Sequence, residues 1–137
     1  MPDRKRVEAL IARVVEGDFL GAIGEFYHAD ASMQENSAPP RQGLRALLEN
    51  EEKVLKSLAM RAHPVETFLV DGDRVAIHWT FDATDRAGVT RRLEEIALQT
   101  WRRDRIASER FVYDTKTAWQ VVTPAEASAA AAPATSR

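Results

Sequence analysis

Three runs in the second half of the chain carry the fold: RVAIHWTFDA (74–83), VTRRLEEIALQTWR (89–102) and IASERFVYD (106–114). Each is rich in β-branched and aromatic residues, which suit the pleated, half-buried surface of a strand. The breaks between them are short and polar, Asp85-Arg86-Ala87-Gly88 and Arg103-Asp104-Arg105. Connections of that length join antiparallel neighbours, so the spacing predicts a meander. A fourth strand, Val65 to Val70, precedes it across Asp71-Gly72-Asp73. Alternation puts Val75, Ile77, Trp79 and Phe81 on one face. The strand from Val89 has Leu93 and Ala97 on one face but Ile96 and Leu98 on the other, which predicts that both faces are at least partly buried. Helices can cover one of them. The face bearing Thr80, Ile96 and Leu98 needs another cover, and a second subunit is the simplest, so a homodimer is expected.

Working back from the meander, the apolar period changes from two to 3.6. Val7, Leu10, Ile11, Val14 and Val15 form the stripe of an amphipathic helix that stops at Gly17. Asp18 stands where an N-cap belongs, ahead of Phe19, Leu20, Ile23, Phe26 and Tyr27 on one helical face. A short strand from Ala31 to Asn36 follows, and then a loop through Ser37-Ala38-Pro39-Pro40. A third, longer helix is predicted from about Leu44 to Met60 on the spacing of Leu44, Leu47, Leu48, Val54, Leu55 and Leu58. Helices gathered in the first half and strands in the second predict an α+β domain.

Composition narrows the function. At 137 residues the chain has room for one core, predicted as a single domain over 1–117. Residues 118–137, with eight alanines, Pro124 and Pro133, are expected to form a disordered tail. A net charge of −2 gives no global attraction for nucleic acid or for an anionic membrane, and no apolar run has the length of a membrane span. With no cysteine there is no thiolate nucleophile and no cysteine metal site. A start lacking a signal-peptide core makes cytoplasmic residence the default. No Gly-rich phosphate loop, Ser-His-Asp order or zinc signature is present, so no cofactor is expected. His28, His63 and His78 make no metal-ligand pattern, and Arg91, Arg92, Arg102, Arg103 and Arg105 read mainly as a solvated rim.

The order helix, helix, strand, long helix, curved meander resembles the cone-shaped α+β barrel of the nuclear transport factor 2-like superfamily. That superfamily includes ketosteroid isomerases, SnoaL-like polyketide cyclases, scytalone dehydratases and limonene epoxide hydrolases. Local words agree from Val7 to Asp114: Gly17-Asp18, Phe26-Tyr27-His28-Ala29-Asp30-Ala31, Pro40-Arg41-Gln42-Gly43 and Glu109-Arg110-Phe111-Val112-Tyr113-Asp114. The resemblance implies the fold far more firmly than any reaction, because the scaffold hosts many chemistries.

It also implies site residues. Glu35 falls where ketosteroid isomerase carries its general base, and alternation independently puts it on one face with Met33. An apolar setting raises a carboxylate's pKa and suits it to abstract a proton from carbon; the plainer alternative is a rim acid that only binds ligand. Glu51 lies inside the apolar stripe of the third helix and aligns with an ionisable pocket residue, unless it sits at the stripe's edge and pairs with Arg45 or Lys53. Gln99, on a face with Ala97 and Trp101, aligns with the acid of the oxyanion hole and offers an amide donor instead. Tyr113 offers a phenol from the opposite wall, or is a core aromatic. The first-helix tyrosine of ketosteroid isomerase falls at Leu10, which argues against that enzyme's own reaction. Met33, Trp79, Phe81, Trp101 and Phe111 are expected to line a pocket for a small apolar or cyclic ligand. The expectation is a small-molecule-binding domain, with Glu35 as the base of a cofactor-independent isomerase, cyclase or dehydratase. Its competitor is an inert ligand-binding or protein-interaction domain.

Overall fold

Asp3 accepts a hydrogen bond from the Arg6 amide and opens helix α1 (Arg4–Val15). Asp18 does the same for the Gly21 amide at 2.9 Å and opens α2 (Phe19–Phe26). In the computed structural model, which describes residues 1–126, these helices and α3 (Leu44–Ser57) pack against one curled mixed sheet. Its strands are β1 (Tyr27–Glu35), β2 (Arg41–Gln42), β3 (Ala59–Ala62), β4 (Phe68–Asp71), β5 (Arg74–Thr84), β6 (Thr90–Arg102), β7 (Arg105–Val112) and β8 (Gln120–Val121). The order is β2-β1-β7-β6-β5-β3, with β4 added to β5 and β8 to β6.

The meander stands as read, β5 to β6 to β7 antiparallel, while β1 joins it in parallel with β7. That pairing sets Glu35 opposite Phe111 and so brings the end of β1 beside the end of β7. On β6, residues Leu93, Glu95, Ala97, Gln99 and Trp101 alternate inward and are buried. Of these, Ala97 and Trp101 join Val7 and Leu10 of α1, Phe19, Ile23 and Phe26 of α2, and Leu47 of α3 in one core. Ile96 and Leu98 point outward at 38% and 40% exposure, so within one chain only the inner face of β6 is covered.

Four boundaries differ from the sequence reading. Tyr27 starts β1 instead of ending the second helix, because its register with Ile106 draws it into the sheet. The third helix ends at Ser57; the chain turns extended at Leu58 and pairs Ala59 to Ala62 with β5, a tertiary pairing that overrides the helical spacing of Leu55 and Leu58. The strand expected at Val65 begins at Phe68. The tail expected to be disordered from Ala118 carries structure over its first nine residues. The Ala118 amide bonds the Asp114 carbonyl, β8 pairs with Arg91 and Arg92, and the Val122 amide bonds the Thr90 carbonyl. The rest of that tail lies outside the described residues.

Candidate functional site

Helices on one side and the curled sheet on the other leave a cavity with two connected parts. An inner recess of about 80 Å³ and an outer bowl of about 320 Å³ share Phe19, Met33, Glu51, Phe81 and Phe111 as walls. The bowl reaches the size at which small-ligand sites begin.

The inner end is tied by a saturated polar chain. The indole N–H of Trp101 donates to Gln99 Oε1 at 2.9 Å, and the Gln99 amide nitrogen donates to Glu109 Oε2 at 2.7 Å. The Tyr27 hydroxyl donates to Glu109 Oε1. Register places Gln99 directly across from Glu109 on neighbouring strands, so the contact follows from the alternation of β6 and β7. Burial raises the Glu109 pKa, the bonds from Gln99 and Tyr27 oppose the rise, and the Glu35 charge adds to it, for a value of about 7. Burial also holds the Tyr27 phenol well above its usual value.

The outer bowl differs. Glu35 lies on its lip, exposed, where the Tyr113 hydroxyl donates to Glu35 Oε1 at 3.0 Å. Burial, then the bond and charge of Glu35, push the Tyr113 phenol up to about 12. Glu51 enters from α3 half-buried, and its pKa is raised by burial and then by the Glu35 charge. Glu95 enters from β6 at 5% exposure. Burial, then the charges of Glu109 and Glu35, push it up to about 9. Arg41 and Asn50 complete the polar lining.

These positions revise several expectations. Met33, Trp79, Phe81 and Phe111 line the cavity, and Glu35 and Glu51 both face the bowl. Glu51 has not paired with Arg45, whose guanidinium lies 3.2 Å from Glu49 instead. Glu35 lacks the apolar enclosure expected for it. Gln99 reaches the recess, but both ends of its amide are engaged, so it has no free donor for a ligand. Tyr113 stands beside Glu35 rather than on an opposite wall. Trp101 is buried in the core and lines neither part of the cavity. Leu10 does line the recess and offers no hydroxyl there, and the Tyr27 hydroxyl in the same recess is engaged by Glu109.

Glu95, Glu109, Tyr27 and Trp119 were not singled out from sequence. Strict alternation from Leu93 and Ala97 would have found Glu95, and from Phe111 would have found Glu109. Buried carboxylic acids are rare enough that Glu94-Glu95 reads first as a solvated pair. Trp119 adopts a left-handed backbone with φ of 58° and contributes to the lining of the bowl, which no periodicity signals.

The histidines stay outside the cavity. Nε2 of His78 lies 2.9 Å from Glu94, Nε2 of His28 lies 2.7 Å from the Arg102 carbonyl, and Nε2 of His63 lies 3.0 Å from Asp82, at ion-pair distance but off hydrogen-bond geometry. Among the described residues no three metal-capable side chains converge to hold a metal ion. No described helix is long and apolar enough to cross a membrane.

Solved structures share this architecture. A candidate SnoaL-like polyketide cyclase from Mesorhizobium loti is 25% identical, with a TM-score of 0.72 over 82% of this chain and 100% of that one. A candidate polyketide cyclase from Pseudomonas putida is 20% identical, with a TM-score of 0.72 over 85% and 95%. TerC, co-crystallised with polyporic acid, is 21% identical, with a TM-score of 0.69 over 82% and 91%. No curated protein matches the chain. The model of the SnoaL-like domain matches residues 7–109, a span that runs from the first buried residue of α1 to Glu109 on the cavity floor, and the chain belongs to that family.

Proposed function

We propose that the cavity binds a small, largely apolar or cyclic carbonyl compound and that Glu35 is the general base of a cofactor-independent isomerase, cyclase or dehydratase. The observation that carries this reading is the polar content of the bowl. One exposed carboxylate, held by Tyr113, faces a space that also contains two carboxyls whose surroundings favour the neutral form. A base and acids of one residue type, separated by environment, are what proton transfer at carbon requires. Glu35 takes a proton alpha to the carbonyl, and the electron pair moves onto the carbonyl oxygen. The Tyr113 hydroxyl or Glu51 in its protonated form, which burial favours, donates a hydrogen bond to that oxygen, in place of the engaged Gln99 and of the hydroxyl absent at Leu10. Glu35 then returns the proton to another carbon or to a leaving group.

Exchange of α-hydrogens tests this without knowledge of the product. A panel of cyclic enones and 1,3-diketones in deuterium oxide should include a compound whose α-hydrogens exchange faster with protein than with buffer. Glu35→Gln should slow that exchange roughly 100-fold while binding stays within a few-fold. The exposure of Glu35 favours a second reading, an inert binding domain, and binding without exchange in any compound would establish it over the first.

We also propose a homodimer packed through the outer sheet face. Ile96 is paired with Val112 across β6 and β7, and with Leu98 they form an apolar patch on that face. Light scattering at micromolar concentration should give twice the chain mass; a monomer would remove the argument.

A further inference from the structure

Glu95 is a buried residue whose carboxyl opens on the bowl and has no partner among the described residues. It is 5% exposed, lines the bowl, and among the described residues makes no hydrogen bond and no ion pair. Buried polar groups in folded proteins are almost always partnered, and an exception asks for an explanation. Every charged group that acts on Glu95 across the cavity is another acid: Glu35 from β1 and Glu109 from β7. Glu51 from α3 adds a third carboxyl to the shared space. The phenols of Tyr27 and Tyr113 both feel the Glu95 charge, and β5 presents only Trp79 and Phe81 on this side. Arg41, itself exposed, is the one cationic side chain among the residues lining the bowl.

The bowl therefore gathers carboxyls that a bound positive charge would help to ionise, and it is walled by Phe19, Phe81, Phe111 and Trp119, aromatic rings of a kind that attracts positive charge. Among the described residues no three of its carboxyls converge as a metal site requires. They suit a charge that is large and diffuse.

We propose that the bowl takes an organic cation, a protonated or quaternary amine with an apolar body, and that Glu95 is its counter-ion. This deepens the reading of the cavity as a small-ligand site and rests on it: the carbonyl compound would bear an amine. The positive charge supplies the partner that Glu95 lacks. In return Glu95 must give up its proton to solvent, because its surroundings hold it neutral when the cavity has no cation.

Proton release makes the inference testable with a probe whose own charge cannot change. Benzyltrimethylammonium is quaternary at every pH, and neopentylbenzene is its uncharged isostere. Isothermal titration of the full chain at pH 6, 7, 8 and 9, in buffers of different ionisation enthalpy, should show the cation binding at least about tenfold more tightly than the isostere. Its affinity should rise roughly tenfold or more from pH 7 to pH 9 with net release of protons. In Glu95→Gln, a close isostere of the neutral acid, the rise should vanish.

Equal or better binding of neopentylbenzene would overturn the cation inference and leave the ligand-site reading standing. An affinity that is flat or falls with pH would overturn the role of Glu95, since a ligand accepting a bond from the neutral acid weakens as Glu95 ionises. Binding of neither probe would overturn the ligand-site reading and this inference with it. The wild-type pH profile decides the matter even if Glu95→Gln folds poorly.

Discussion

The two ends of the cone hold the same functional group and use it differently. At the inner end Glu109, 3% exposed, accepts from Tyr27 and Gln99 and completes a chain that reaches Trp101. In the bowl Glu95 is as deeply buried and makes no such bond. A buried carboxyl with two donors fixes the packing around it, since removing it orphans its partners. A buried carboxyl without donors costs stability and contributes no bond to the fold. Depth of burial therefore does not distinguish the two acids, whereas satisfaction of hydrogen bonds does.

The largest expected effect breaks that comparison by changing both acids to the same residue. Glu109→Leu leaves the Tyr27 hydroxyl and the Gln99 amide buried without an acceptor and should cost about 3 kcal/mol or more. Glu95→Leu removes a desolvated acid and orphans nothing, so it should be neutral or stabilising. Urea unfolding of the two variants at pH 8 checks both signs, and equal destabilisation would erase the distinction.

The pH dependence of stability is next. Both acids have folded pKa values above the ordinary 4.5, about 7 for Glu109 and about 9 for Glu95. A carboxyl raised in this way contributes stability that is fully present below the unfolded value and is lost as pH climbs through the folded one. Melting temperature should fall from pH 5 to pH 9, and Glu95→Leu should flatten the limb between 7 and 9. A melting temperature that climbs through this range would contradict the account.

The smallest effect concerns the strap over the bowl. Truncation after Thr117 removes Trp119 and the two-residue strand β8, whose side chains are exposed. The melt should shift by only a few degrees, on the order of 1 kcal/mol, since little apolar surface is lost. The uncharged dye Nile red should then report a more open apolar wall around Leu93 and Met60. Unchanged dye fluorescence would mean that Trp119 does not cover the bowl.

Much of the fold was legible because period and punctuation agree. The stripes of α1 and α2, the acidic cap at Asp18, and the turns after Asp71 and Thr84 all reflect local chemistry. What was not legible depends on distant partners. Ala59 to Ala62 is a strand because β5 is beside it, and Gln120-Val121 is one because β6 has a free stretch at Arg91 and Arg92. The site divides the same way. Glu35, Met33, Phe81 and Phe111 follow from alternation, whereas the engagement of Gln99 and the isolation of Glu95 depend on what faces them across the barrel. A single strand's pattern does not contain that.

The central claim is that the cone holds neutral carboxylic acids in a poorly solvated space. Carbon-detected NMR of the glutamate side-chain carboxyls across pH 4 to 10 tests it without a substrate. The account predicts one carboxyl, lost in Glu95→Gln, that titrates near 9, and another, lost in Glu109→Gln, that titrates near 7. Titration of both in the ordinary range near 4.5 would show that water fills the cone and would contradict the claim.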